Sequence, residues 1–286
     1  MSKVSYNEGF VTAGGYKMHY LEWGKSGNQI VLLHSMGMDA HGFDAFSEPL
    51  SKDYRTLERD LLGCRLLAID LLGHGDSDTP KEPVGVEEHT EIVHGVALNR
   101  GFRKNILVGH SIGGMISMIY AAKYPNEVEK VILVDIAPRD ASATPERPTS
   151  PPPSAAQPPD SFAGEEEALK YLKGRYPKFD KTALQNRLKY AFRRDADGLL
   201  RLKANPAALT SLRGSLSVDL WPFVSKISAP TLLIIGSESQ TVPKAAVEKM
   251  RGMLKEFKVV TINGATHMVP QDRPKEFEKA VKEFLR

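Results

Sequence analysis

Hydrophobic residues in this 286-residue chain fall mostly into short continuous runs rather than alternating stripes. Ile30-Val31-Leu32-Leu33, Leu66-Leu67-Ala68-Ile69, Asn105-Ile106-Leu107-Val108, Val131-Ile132-Leu133-Val134, Thr231-Leu232-Leu233-Ile234-Ile235 and Lys258-Val259-Val260-Thr261-Ile262 are the clearest. Runs this short and apolar at both parities predict strands covered on both faces, as in a parallel sheet. Gly9 to Glu22 is different. Phe10-Val11-Thr12, a Gly14-Gly15 turn and the alternation of Lys17-Met18-His19-Tyr20-Leu21 predict a hairpin. Helical periodicity separates the runs, for example over Gly114 to Tyr124, which stops at Pro125, Ala245 to Leu254, and Lys275 to Leu285. Strands alternating with helices predict an α/β fold, with a mostly parallel central sheet and helices on both faces.

The alternation breaks once. Pro138 to Pro159 holds eight of the nineteen prolines and almost no large apolar residue, which predicts an exposed, stiff linker. Beyond it, Glu165 to Tyr176, Lys181 to Arg194 and Ala207 to Leu212 read as helices without intervening strands, and the sheet pattern resumes at Pro230. The expected division is a core of residues 1–138 and 226–286, interrupted by a Pro-rich linker and helical cap over 139–225. Arg59-Asp60-Leu61-Leu62-Gly63-Cys64 is echoed by Ile69-Asp70-Leu71-Leu72-Gly73-His74, with no function attached to the echo.

Composition narrows the function classes. The chain is 41% hydrophobic, enough for a sizeable core, and its 38 basic and 35 acidic residues leave a formal charge of +3. There is no basic stripe with interleaved aromatics, so nucleic acid is not an expected partner. A lone cysteine, Cys64, excludes an internal disulfide framework and a cysteine metal cluster. No apolar stretch is long enough to span a bilayer, and residues 1–8 lack the apolar run of a signal peptide. The expectation is a soluble cytoplasmic protein.

Candidate chemistry centres on Gly109-His110-Ser111-Ile112-Gly113, which fits G-x-S-x-G. That pattern places a serine on a tight turn from strand to helix, and both flanking elements are predicted here. So sharp a turn strains the serine backbone and brings neighbouring chain close, which is why small residues are needed on either side.

The chain resembles the α/β-hydrolase fold family, in its capped, cofactor-independent serine esterase or lipase-like branch. The markers are Leu33-His34-Ser35-Met36-Gly37, Asp70-Leu71-Leu72-Gly73-His74-Gly75-Asp76-Ser77, the Ser111 turn, and Gly264-Ala265-Thr266-His267-Met268-Val269-Pro270. The resemblance implies a Ser-His-acid triad. A serine hydroxyl needs an adjacent base, and that histidine needs a carboxylate to hold its tautomer. His267, in a loop after the last strand, lies where the family places its base, whereas His34, His74 and His110 belong to motifs in which the family uses them structurally. Many members carry the acid in a Gly-x-x-Asp pattern, but Gly236-Ser237-Glu238-Ser239 puts a serine at that position. Two candidates follow. Asp135, 24 residues past Ser111 at the carboxyl end of a buried strand, is preferred; Glu238 is the alternative. Asp70 is expected to be structural.

For the oxyanion, the resemblance implies the backbone N–H groups of Ile112 and Met36. Ser35 stands where glycine is common, and either adds a hydroxyl beside the hole or only narrows the loop. Met38, Met115, Trp221, Phe223 and Met268 are candidate pocket residues. No lysine or arginine neighbours these motifs in sequence, so the expected substrate is a neutral, mainly hydrophobic ester of small to medium size. No metal, nucleotide or flavin is implied. The alternatives are a lactonase or a carbon–carbon bond hydrolase on the same triad, or a small-molecule receptor on this scaffold with vestigial turnover. The carbon–carbon chemistry needs a carboxylate binder, for which Arg175, Arg187, Arg193 and Arg194 are candidates, although they read more simply as a solvated helix face.

Overall fold

A computed structural model describes residues 6–51, 63–139 and 158–286. Its main sheet has eight strands: β1 (Asn7–Ala13), β2 (Tyr16–Trp23), β3 (Asn28–Leu33), β4 (Cys64–Ile69), β5 (Asn105–His110), β6 (Val128–Val134), β9 (Thr231–Gly236) and β10 (Phe257–Ile262). The order across the sheet is β1-β2-β4-β3-β5-β6-β9-β10. Only β2 runs against its neighbours, pairing antiparallel with β1 and with β4. Every other pair is parallel.

The doubly apolar runs are explained by two cores, one on each face of the sheet. Val31, Leu33, Leu67, Ile69, Leu107, Val131, Leu133 and Leu233 pack in the first. Their odd-even partners Ile30, Leu32, Leu66, Ala68, Ile106, Val108, Ile132, Val134, Leu232 and Ile234 pack in the second. Helices α2 (Val86–Asn99), α3 (Ile112–Lys123), α7 (Trp221–Val224) and α8 (Lys244–Met253) cover the first face. Helices α1 (Asp44–Ser51) and α10 (Pro274–Leu285) cover the second, with the short α9 (Val269–Asp272) at their edge. Since side chains alternate across a strand, one strand feeds both cores, and neither parity can be polar.

Between β6 and β9 lie α4 (Glu165–Arg175), α5 (Lys181–Tyr190), a two-stranded ribbon of β7 (Phe192–Arg194) and β8 (Leu200–Leu202), and α6 (Pro206–Gly214). The ribbon corrects the expectation of one helix over Lys181–Arg194 with no strand in this region. The helix ends at Tyr190, and the chain turns back at Asp195-Ala196-Asp197-Gly198, where Gly198 adopts φ +80°. Phe162, Ala168, Leu172, Ala191, Phe192 and Leu200 form a small core of their own, separate from the two sheet cores. Leu212, Leu220, Trp221 and Val224, by contrast, join the first sheet core. The echo segment 59–64 falls largely, and the Pro-rich stretch 138–159 mostly, outside the described residues.

Candidate active site

Two non-glycine residues among those described have positive φ: Ser111 at 55° and Asp135 at 52°. Such backbone is costly for residues with a Cβ and persists only where the surroundings impose it, so it marks candidate functional positions. Both residues stand at the carboxyl ends of adjacent strands, β5 and β6. The Ser111 N–H donates to Val134 O at 3.0 Å, and the Asp135 N–H to Ile234 O at 2.8 Å.

The crowding predicted for the serine turn is present. A Cβ on Gly109 would come within 2.3 Å of Gly113 O, and one on Gly113 within 2.2 Å of Leu33 O. Ser111 itself is half-buried and caps α3. Ile112 is the first residue of that helix, so its N–H has no intrahelical acceptor and is available to an anion.

Asp135 is fully buried, and its carboxylate gathers three donors. The Gly236 N–H donates to Oδ1 at 3.0 Å, His267 Nδ1 lies 2.7 Å from Oδ2, and the Ser239 hydroxyl also donates to Oδ2. His267 is about one-third exposed, so one edge of its ring faces the buried carboxylate while the ring still reaches solvent. Thr241 Oγ1 is a second neighbour of Nδ1, at 3.3 Å. Glu238, the other candidate acid, points elsewhere: its side chain is half-exposed and pairs with Lys178. Ser239 therefore occupies the strand-end position where an aspartate is common and donates to the acid brought from the neighbouring strand. Sequence shows the substitution but not this use of it.

The histidines of the other motifs tie loops together in neutral form. His110 Nε2 donates to the His267 carbonyl at 2.7 Å, linking the serine turn to the histidine loop, and burial pushes its pKa well below the ordinary imidazole value. His34 Nδ1 donates to Ser35 O at 2.9 Å, and its Nε2 accepts the Leu71 N–H at 2.9 Å; burial lowers its pKa also. His74 Nε2 accepts the Gly37 N–H at 3.0 Å, and burial together with the nearby His34 pushes its pKa down to about 3. Asp70 is saturated by the Ala40 and Asp76 N–H groups and by His19. Burial would raise its pKa, but the hydrogen bond and electrostatic attraction of His19 hold the carboxyl down at about 2.

The candidate pocket residues have different surroundings. Met115 and Trp221 are buried in the first sheet core, with Phe223 packed against it, and Lys249 Nζ sits 3.9 Å over the Trp221 ring. Met268 is half-buried just after His267, and Met36 half-buried against the first core. Met38 lines a narrow cleft with Asp39, His41, Arg187, Pro270 and Gln271. Arg187 corrects the view of the 175–194 arginines as a solvated face. It is 6% exposed and bonds Asp39 at 2.5 Å and the Gly37 carbonyl, so a cation does approach the His34 loop in space. Arg193 and Arg194 are exposed. A sequence signal existed, because Leu184, Arg187, Leu188 and Ala191 follow the i, i+3, i+4, i+7 spacing of a buried helix face.

Comparison with known proteins agrees with this architecture. The family model for the alpha/beta hydrolase fold matches residues 28–274, and the chain belongs to that family. A 2-(acetamidomethylene)succinate hydrolase of Mesorhizobium japonicum is 28% identical over 260 residues, covering 91% of this chain and 88% of the relative. An sn-1-specific diacylglycerol lipase of Mus musculus is 26% identical over 270 residues, covering 90% and 80%. The crystal structure of an E-2-(acetamidomethylene)succinate hydrolase superposes with a TM-score of 0.84 at 26% identity, covering 98% of this chain and 99% of that one. Among the described residues no helix is long and apolar enough to cross a membrane.

Proposed function

We propose that this chain is a serine hydrolase that cleaves small to medium carboxylic esters through an acyl-enzyme. The observation that carries this reading is the 2.7 Å contact between the buried Asp135 carboxylate and His267 Nδ1, beside a strained serine at the head of α3. Asp135 fixes the Nδ1–H tautomer, which leaves Nε2 free as a base. His267 Nε2 takes the Ser111 proton as Oγ bonds to the ester carbonyl carbon. The N–H groups of Ile112 and Met36 receive the developing oxyanion. Collapse expels the alcohol, which leaves with the proton held on His267. A water then gives its proton to the same nitrogen and attacks the acyl carbon, and the second collapse releases the acid and restores the Ser111 hydroxyl.

A second reading is supported by the Mesorhizobium relative, which matches nearly the whole length of both chains and is named for a dicarboxylate substrate with an acetamido group. The same triad would then open a non-ester acyl bond or a carbon–carbon bond. The test is turnover of p-nitrophenyl esters from acetate to dodecanoate, beside 2-(acetamidomethylene)succinate, by wild type and Ser111→Ala. The ester reading expects multiple turnover on the esters that the alanine variant lacks. Faster turnover of the succinate compound than of any ester selects the second reading. Equal activity of wild type and Ser111→Ala on every substrate refutes both.

A further inference from the structure

We propose that Arg187 is a positioning residue, which reaches from the inserted segment to hold the His34 loop so that the Met36 N–H stays aimed at the oxyanion. The inference rests on the reading that this loop supplies an oxyanion donor.

The orientation of the Met36 N–H is set by the peptide groups around it. Ser35 O accepts both His34 Nδ1–H at 2.9 Å and the Met38 N–H at 3.0 Å. No cis peptide occurs among the described residues, so fixing the Ser35 carbonyl also fixes the Met36 N–H on the opposite side of the same plane. The next peptide is held through the Gly37 N–H, which donates to His74. Gly37 has φ +78°, a conformation with no side-chain packing to maintain it. Its carbonyl accepts from Arg187 Nη2, and Nη1 of the same guanidinium binds Asp39 at 2.5 Å. The Gly37–Met38 peptide is thus held from both sides, by the Met38 N–H on Ser35 O within the loop and by Arg187 of α5 on the Gly37 carbonyl.

The pair is buried, with both side chains 5% exposed, so neither charge is well solvated without the other. A planar fork can grip a carbonyl and a carboxylate together, which an ammonium on a flexible stem does less well. The rest of α5 is docked in the same place. Asn186 donates to Asp44 at 3.1 Å, and the Tyr190 ring stacks on His41 with centroids 3.4 Å apart. On the other side, the Asp180 N–H donates to Gln271 O at 3.0 Å, and Gln271 Nε2 to Gly42 O at 3.0 Å. Helix α5 and its N-cap residue Asp180 therefore touch the segments that directly follow the His34 loop and the His267 loop. Asp39 neutralises Arg187 and both Nη groups are engaged, while the buried Nε has no partner among the described residues; on balance the geometry favours a clamp over a binder of substrate carboxylate.

The experiment compares wild type with Arg187→Lys, which keeps a cation beside Asp39, and with Arg187→Gln/Asp39→Asn, which removes both buried charges together. Steady-state kinetics are paired with amide hydrogen exchange over residues 34–42. Loss of an entire oxyanion donor costs about 100- to 1000-fold. Loosening one should lower kcat by about 10- to 100-fold, with KM within about threefold, unshifted pH limbs, and faster exchange at Met36 to Asp39. Wild-type kcat and unchanged exchange in either folded variant overturn the proposal, as does a loss confined to KM. If wild type itself lacks Ser111-dependent turnover, the proposed function fails separately, and exchange alone decides: faster exchange at 36–39 supports the clamp and unchanged exchange overturns it.

Discussion

Replacing Asp135 with asparagine tests the candidate triad most sharply, because the carboxylate is surrounded by donors. Oδ1 takes the Gly236 N–H, and Oδ2 takes His267 Nδ1–H and the Ser239 hydroxyl. An asparagine can satisfy Gly236 only by turning its NH2 toward the other two donors. Flipping the amide moves the conflict to Gly236. His267 escapes it by carrying its proton on Nε2, which removes the lone pair needed to accept the Ser111 proton. The equivalent change in chymotrypsin-fold serine proteases costs about 10⁴ in kcat. At about 1.36 kcal/mol per decade that is roughly 5.5 kcal/mol of transition-state stabilisation. The assay is kcat on the best substrate of the ester series, with thermal unfolding to show that the variant is folded. Glu238→Gln is the control. It breaks only a half-exposed pair with Lys178, and such pairs contribute about 0–1 kcal/mol, so activity should stay within about twofold. An Asp135→Asn variant within tenfold of wild type, or a Glu238→Gln variant that falls equally far, refutes the assignment.

Ser239→Ala removes one of the two donors at Asp135 Oδ2 while leaving His267 in contact. Hydrogen bonds to charged groups contribute about 1.5–3 kcal/mol to stability, so the urea unfolding free energy should fall by about that much. Unchanged stability would make the hydroxyl a bystander. The buried neutral histidines predict acid sensitivity. His74 has its pKa held down at about 3, while an unfolded imidazole titrates near 6.5. Below about pH 6.5 the unfolded chain binds the extra proton and the folded chain does not, so this contribution is complete above that pH and declines as pH falls toward 3. For His74 alone the loss is about 1.4 kcal/mol at pH 5.5, and His34 and His110 add in the same direction. Urea midpoints measured from pH 7.5 to 5 should fall accordingly, and a flat profile would contradict the neutral assignments.

Most of the fold was legible because it rests on local signals. Each parallel strand feeds two cores, so its sequence must be apolar at both parities, and the runs stand out without knowledge of any partner. The serine turn was legible for a related reason. Backbone approaches of 2.2–2.3 Å at Gly109 and Gly113 leave no room for a Cβ, so the constraint is written in adjacent residues. The placement of Asp135 at a strand end next to the serine strand also follows from strand order. What sequence did not show depends on pairs far apart in the chain. The β7–β8 ribbon consists of two three-residue strands whose arginines read equally well as a continuation of α5, and only the turn at Gly198 distinguishes them. Arg187 carried a local clue, its place on the apolar face between Leu184 and Ala191. Its partners, Gly37 and Asp39, are separated from it by about 150 residues, a span that includes β4, β5 and β6. A charged residue on a buried helix face is costly unless a partner meets it there. Such a residue in the sequence therefore announces a tertiary contact before the contact can be named, and here the contact falls on the loop that shapes the candidate active site.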